Sequence, residues 1–188
     1  VNEWRQYPDW PPPGTRTRRF FLTPGAGDDI HAGILSTSRP STSAFTHFRY
    51  DPINAVPTNG GPAFLVAAGQ KDQSPIEARP DVAVFTTAPL KRDMEVAGEV
   101  LARLFVRSSE PDTDFTAKLV AVPPTGHPFN VADGLRRLLA YRNYEHPHPV
   151  TPGRVVPLEI DLGPTDFVFR AGWQIRLEVS SSNFPRFS

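Results

Sequence analysis

The stretch from residue 94 to residue 122 constrains the fold more than any other part of the chain. Met94, Val96, Gly98, Val100, Ala102, Leu104 and Val106 fall on one side of an extended backbone, while Glu95, Glu99, Arg103 and Arg107 fall on the other. A period of two held this long fits a half-buried strand and fits no helix. A second run follows, with Phe115, Ala117 and Leu119 on one face and Asp114, Thr116 and Lys118 on the other. Between the runs, residues 108 to 113 supply turn formers whose Ser and Asp side chains bond nearby backbone N–H groups. The expectation is a hairpin of two long strands that buries one apolar face and wets the other.

The rest of the chain reads in the same terms. Phe20 to Leu22, Ile34 with Leu35, and Phe45 to Tyr50 are short apolar or alternating runs between Gly, Pro, Ser and Thr clusters, as in edge strands and connections. Residues 51 to 61 carry turn signals without periodicity and read as a loop. Residues 62 to 80 are irregular but contain the apolar knot Phe64, Leu65 and Val66, and a long loop in a compact domain has a functional reading. Val82 to Thr87 opens the regular sheet. Residues 123 to 126 and the pair Asp133-Gly134 mark turns. Residues 135 to 142 mix helical spacing at Leu135, Leu138 and Leu139 with strand-like neighbours, and a bulged strand is expected there. Leu158, Ile160 and Leu162 alternate, as do Ile175, Leu177 and Val179 in the last strand. Roughly ten strands at this spacing predict an all-β sandwich or jelly roll in one domain over residues 1–188, with 1–17 as an extended strap or linker.

Composition supports this reading and excludes several functions. The chain has 22 prolines in 188 residues, yet 39% hydrophobic content keeps it clear of the disordered class. The prolines therefore punctuate short strands. Twenty basic and twenty acidic side chains cancel with no long run of either sign, so neither nucleic acid nor a membrane surface is expected as a partner. There is no cysteine, and thus no disulfide or thiolate metal site. No signal peptide opens the chain and no apolar run reaches membrane-spanning length, which favours a cytoplasmic location.

Candidate chemistry is sparse. No Gly-x-Ser-x-Gly elbow is present, so no serine is offered to a base and an oxyanion hole, and no catalytic residue is assigned. Ser180, Ser181 and Ser182 read as a polar strand terminus. His146 and His148 alternate with prolines in a loop and lack a third ligand, and Asp112 with Asp114 reads as a turn rather than a calcium site. Neither a metal nor any other cofactor is expected. Trp4 and Trp10, beside a stiff proline run, read as cover for the core or for an interdomain contact, with sugar stacking as the lesser reading.

Many short motifs carry a resemblance in order along the chain. They are Trp10 with three prolines, Asp51-Pro, Val56-Pro-Thr, Gly60-Gly61, Asp72-Gln73, Asp81-Val, Phe85-Thr-Thr, Val96-Ala-Gly, the run from Ser109 to Leu119, Asp133-Gly134, Tyr141-Arg142, Gly172, Ile175-Arg-Leu, and the run from Ser180 to Phe187. Together they resemble the C-terminal domain of the X-Pro dipeptidyl peptidase and cocaine esterase family of serine hydrolases. The resemblance implies a jelly-roll β-sandwich, similar to galactose-binding modules, that is non-catalytic and packs on an α/β-hydrolase domain beside its active site. It further implies that Phe64 and Leu65 supply apolar wall to the acyl pocket. Through the parent protein the partner is a small ester or peptide substrate.

The chain departs from the family at Ala121, at Trp173 with Gln174, and at Gln70 with Lys71, which bears on individual polar contacts and on substrate preference. Relatives continue beyond the point corresponding to Ser188, so a piece of a longer protein is expected. So is self-association through a sheet edge or docking face, with Phe184 and Phe187 near the contact. A free-standing carbohydrate-binding module is the alternative reading.

Overall fold

The structure is a computed structural model that describes residues 5–41, 43–62 and 68–187. Its strands are β1 (Phe21–Thr23), β2 (Gly33–Ser36), β3 (Ala83–Thr86), β4 (Met94–Val106), β5 (Asp114–Val122), β6 (Phe129–Arg137), β7 (Val156–Phe169) and β8 (Gln174–Ser180), with one helical turn, α1 (Ser74–Glu77). They form two layers. One sheet has the order β1-β2-β3-β8-β5-β6, and β4 pairs with β7 in the other. Every pairing is antiparallel except β2 with β3. From β3 to β8 the chain passes between the layers four times, as in a jelly-roll sandwich, and the all-β expectation holds.

The core lies between the layers. From the two-stranded sheet come Ala102, Leu104, Val106, Val156, Leu158, Ile160, Leu162 and Phe169, and the six-stranded sheet meets them with Phe85, Phe115, Ala117, Leu119, Ala121, Ile175 and Val179. The alternation read in β4, β7 and β8 thus places the inward residues correctly. At one end Phe129, Phe167, Phe169 and Trp173 pack largely edge to face, with Phe167 and Phe169 ring centroids 4.8 Å apart.

Several expectations are corrected. The two runs between 94 and 122 do not form a hairpin, because β4 pairs with β7 and β5 pairs with β6 and β8. The polar stretch between them carries the chain from one layer to the other. It is fastened by Asp112, which accepts from Arg137 Nε at 2.7 Å and from the Leu139 amide at 3.0 Å. The outer face of β5 is not wet either, since Thr116 and Lys118 are buried. Residues 45 to 50 form no strand, and the described residues contain eight strands rather than ten. Asp133-Gly134 is no turn but the middle of β6, and the strand expected over 135 to 142 ends at Arg137, where a 3₁₀ turn, Leu138–Ala140, takes over. The last strand is no open edge, because β8 is flanked by β3 and β5.

The N-terminal segment lies against the outer face of the two-stranded sheet. Arg5 Nη1 is 2.7 Å from Glu95 Oε1, and the Tyr7 hydroxyl donates to the same oxygen at 3.1 Å. No helix among the described residues is long and apolar enough to cross a membrane.

Candidate functional site: a clasped loop on a buried polar network

The covered outer face of β5, β6 and β8 is the most specialised region of the molecule. A sheet face that carries Lys118, Glu178 and Asn130 should be solvated, yet all three are buried. The cover is the segment from Val56 to Glu77 together with the tail from Ser181 to Phe187. Val56 N donates to Ser182 Oγ at 2.8 Å, Phe184 N to Val56 O at 2.9 Å, and Thr58 Oγ1 to Asn183 O at 2.9 Å. Beneath them Val56 and Ile76 close a small apolar cluster with Val82 and Val84.

Within this cover the chain closes a loop on itself. Gly61 and Gly69 exchange N–H to O=C bonds of 2.8 and 3.0 Å, which ties off residues 62 to 68. Glycine is required at the clasp. Gly60 and Gly61 both have φ +82°, and a Cβ on Gly60 would stand 2.5 Å from the Gly69 carbonyl oxygen and 2.8 Å from Asn130 Oδ1.

Two amides hold the clasp from below. Asn130, on β6, accepts from Lys71 N at 2.8 Å and donates to Gly69 O at 3.2 Å. Gln73 is fully buried and donates through Nε2 to the carbonyls of Asn59 and Lys71, both at 2.9 Å. Its Oε1 accepts from Lys118 Nζ at 2.7 Å. The Gln73 side chain therefore joins the two roots of the loop to the sheet. Next to it, Asp72 Oδ1 accepts from Ser74 N at 2.9 Å and Ser74 Oγ at 2.6 Å, which starts α1 and holds the Asp72 carboxyl below its usual range.

Charges continue the network. Lys118 Nζ is 3.2 Å from Glu178 Oε2, directly across from it in the β5–β8 register. Arg176 pairs with Glu77 through Nη1 and donates from Nε to Thr86 Oγ1 at 2.8 Å. Asp133 faces Arg186 at 2.8 Å and accepts from Asn183 Nδ2 at 3.0 Å, while burial pushes its carboxyl up against those attractions. Burial pushes Glu178 further, to about 7, with Lys118 opposing the shift and Glu77 adding to it.

The hydroxyls of the network are spent on structural bonds. Ser180 Oγ lies 2.6 Å from Thr116 Oγ1 and donates to the Ser182 carbonyl at 3.0 Å. The hydroxyl run is the polar strand terminus expected of it. His146 and His148 are exposed. No group of three or more potential metal ligands occurs among the described residues.

Of the proposed site residues, Trp4, Phe64 and Leu65 lie outside the described residues. Trp10 is 47% exposed at the outer surface of the two-stranded sheet, where Pro11 approaches Gly98. The structure does not bring Trp10 to the loop clasp. Sequence reading missed Gln73, Asn130, Lys118, Glu178, Glu77 and Arg176 as one unit. The available signal is a lysine and a glutamate, Lys118 and Glu178, at positions that alternate with the apolar face of their strands.

The scattered motifs noted in the sequence converge here: Val56-Pro-Thr, Gly60-Gly61, Asp72-Gln73, Asp133 and the run from Ser180 to Phe187 all belong to the cover or its anchor. Comparison with known proteins agrees. The family described as the X-Pro dipeptidyl-peptidase C-terminal non-catalytic domain matches residues 1–188. The cocaine esterase of Rhodococcus sp. (strain MB1 Bresler) is 40% identical over 191 residues, covering 100% of this chain and 33% of the esterase. An aminopeptidase structure from a marine sediment Thaumarchaeota archaeon superposes with a TM-score of 0.79 at 28% identity, covering 98% of this chain and 32% of that one. An α-amino acid ester hydrolase gives a TM-score of 0.73 at 26% identity, covering 87% and 29%. The chain thus spans about a third of the length of these relatives. Matched from end to end, and with its most distinctive residues gathered on one sheet face, the chain belongs to the X-Pro dipeptidyl-peptidase C-terminal non-catalytic domain family.

Proposed function

We propose that this chain is the accessory β-sandwich of a serine hydrolase, docked on an α/β-hydrolase domain and shaping that domain's substrate pocket with the loop tied off between Gly61 and Gly69. The clasp is the observation that carries this reading. A sheet face that buries a lysine, a glutamate and two amides to hold the base of one loop is built to present that loop, because such burial is costly and has to be offset by pairing. Phe64 and Leu65 stand in the segment so presented, and an apolar pair there suits the wall of an acyl pocket. The share of its relatives that the chain spans leaves room for a catalytic domain in the same protein. Substrate contact is then indirect, with a small ester or peptide bound by the partner domain. Carbohydrate binding is the lesser reading: of the exposed aromatics Trp10, Phe45, Phe105, Tyr144 and Phe184 among the described residues, Phe45 and Phe105 share a cleft and the others sit on separate elements.

The test is a reconstitution. This chain alone should not hydrolyse p-nitrophenyl esters or X-Pro anilides, and with a separately expressed hydrolase domain it should form a complex. Replacing both Phe64 and Leu65 with Ala should raise KM or weaken that complex by at least about tenfold, since burying two large apolar side chains is worth about 3 kcal/mol or more. Unchanged binding and kinetics in the double variant would remove the loop from the pocket.

A further inference from the structure

The two glutamates beneath the clasp are arranged in a way that support alone does not require. Glu77 ends α1 and Glu178 lies on β8, with side chains 12% and 4% exposed. Each spends one carboxylate oxygen on a cation, Glu77 Oε2 on Arg176 and Glu178 Oε2 on Lys118. The remaining oxygens, Glu77 Oε1 and Glu178 Oε1, are both buried without a hydrogen-bond partner. Glu178 lies two residues along β8 from Arg176, the cation that Glu77 holds, so the two carboxyls stand on the same covered face. Two bare anionic oxygens cannot rest against one another in a dry site, whereas one proton between them satisfies both.

We propose that Glu77 and Glu178 share a single proton across their free oxygens, and that this proton latches α1, and with it the root of the clasped loop, to the sheet. The O–H of one carboxyl donates to the other, so the pair carries one negative charge instead of two. The surrounding groups fit that state. From β5 the site receives Lys118, and from β8 Arg176, whose Nε is spent on Thr86 of β3. Asp133 of β6 faces Lys118 from the other side and has its own partners in Arg186 and Asn183. Gln73 occupies Lys118 from the loop side. No other donor among these reaches the facing oxygens.

The latch gives the loop a pH dependence of definite sign. Buried Glu178 holds its proton to about 7, whereas a free glutamate releases it near 4.5. Stability from the shared proton is therefore complete below about pH 4.5 and is lost as pH rises to about 7. Above that point the two carboxylates repel, and the one-turn helix next to the clasp is the element free to yield.

Carboxyl carbon NMR of the 188-residue chain with labelled glutamate, followed from pH 4 to 9, reads the proton directly. The expected result is one transition near pH 7 reported by both Glu77 and Glu178. Independent transitions at ordinary glutamate values would overturn the shared proton. Amide exchange at Gly69 and Lys71, corrected for base catalysis, reads the latch, and protection should fall at least several-fold between pH 6 and 8. Unchanged protection would confine the proton to the pair and overturn the latch. In Glu178→Gln the amide supplies a permanent donor, so the transition and the loss of protection should both vanish. If that variant does not fold, the two wild-type measurements decide alone.

Discussion

Gln73 shows how much of the fold one side chain can hold. Its amide reaches Asn59 O, Lys71 O and Lys118 Nζ at once, and its chain neighbours begin α1. Gln73→Leu keeps the volume but leaves two part-buried carbonyls without their donor and takes one of two partners from the Lys118 ammonium group. The expected loss is about 3 kcal/mol in urea unfolding, because an orphaned buried polar group costs more than the bond it made. A loss well under 1 kcal/mol would mean that water replaces the amide. The sequence singled out Asp72-Gln73 only as part of a resemblance. Nothing local distinguishes a buried glutamine from a solvated one, since burial here is conferred by Lys118 and Asn130, which are 45 and 57 positions away.

Among the elements, β6 shows why local rules fail where layers meet. Asp133-Gly134 has the composition of a turn, but β6 runs straight through it. The glycine is there because β6 crosses β7, and a Cβ on Gly134 would collide with the Asp161 backbone carbonyl. No side-chain rotation relieves a clash with backbone. Gly134→Val should therefore force the layers apart at a cost of about 3 kcal/mol or more, seen as a lowered denaturation midpoint. A variant as stable as the parent would show that β6 can slide.

The elements that the sequence made legible are those with one dry and one wet face. Met94 to Val106, Leu158 to Leu162 and Ile175 to Val179 all bury the side that their alternation indicates. What escaped is pairing, because alternation states which face is buried and not which strand lies alongside. The missed polar site has the same cause. Thr116, Lys118 and Glu178 spell a wet face, and only the distant cover makes it dry.

Over the whole molecule, one stretch of open apolar surface among the described residues lies on the outer face of the two-stranded sheet, apart from single exposed side chains such as Ile34 and Ile53. Phe105 is 76% exposed there, with Leu101 on the same side of β4, while Phe184 stands out beside the loop cover. With β8 enclosed, association would use these faces rather than the last strand. The 188-residue chain on its own is expected to form a dimer or larger species, and light scattering at low and high concentration checks this, a strict monomer at high micromolar concentration being the contrary result. The clasp has a separate consequence for how such proteins diversify. Among the described residues, the bonds that tie Gly61 to Gly69 use main chain or residues outside positions 62 to 68, and each doubling of the enclosed length adds only about 0.6 kcal/mol of closure entropy. Those seven positions form an exchangeable cassette, in which insertions and substitutions can retune what the loop touches while the sandwich beneath keeps its register.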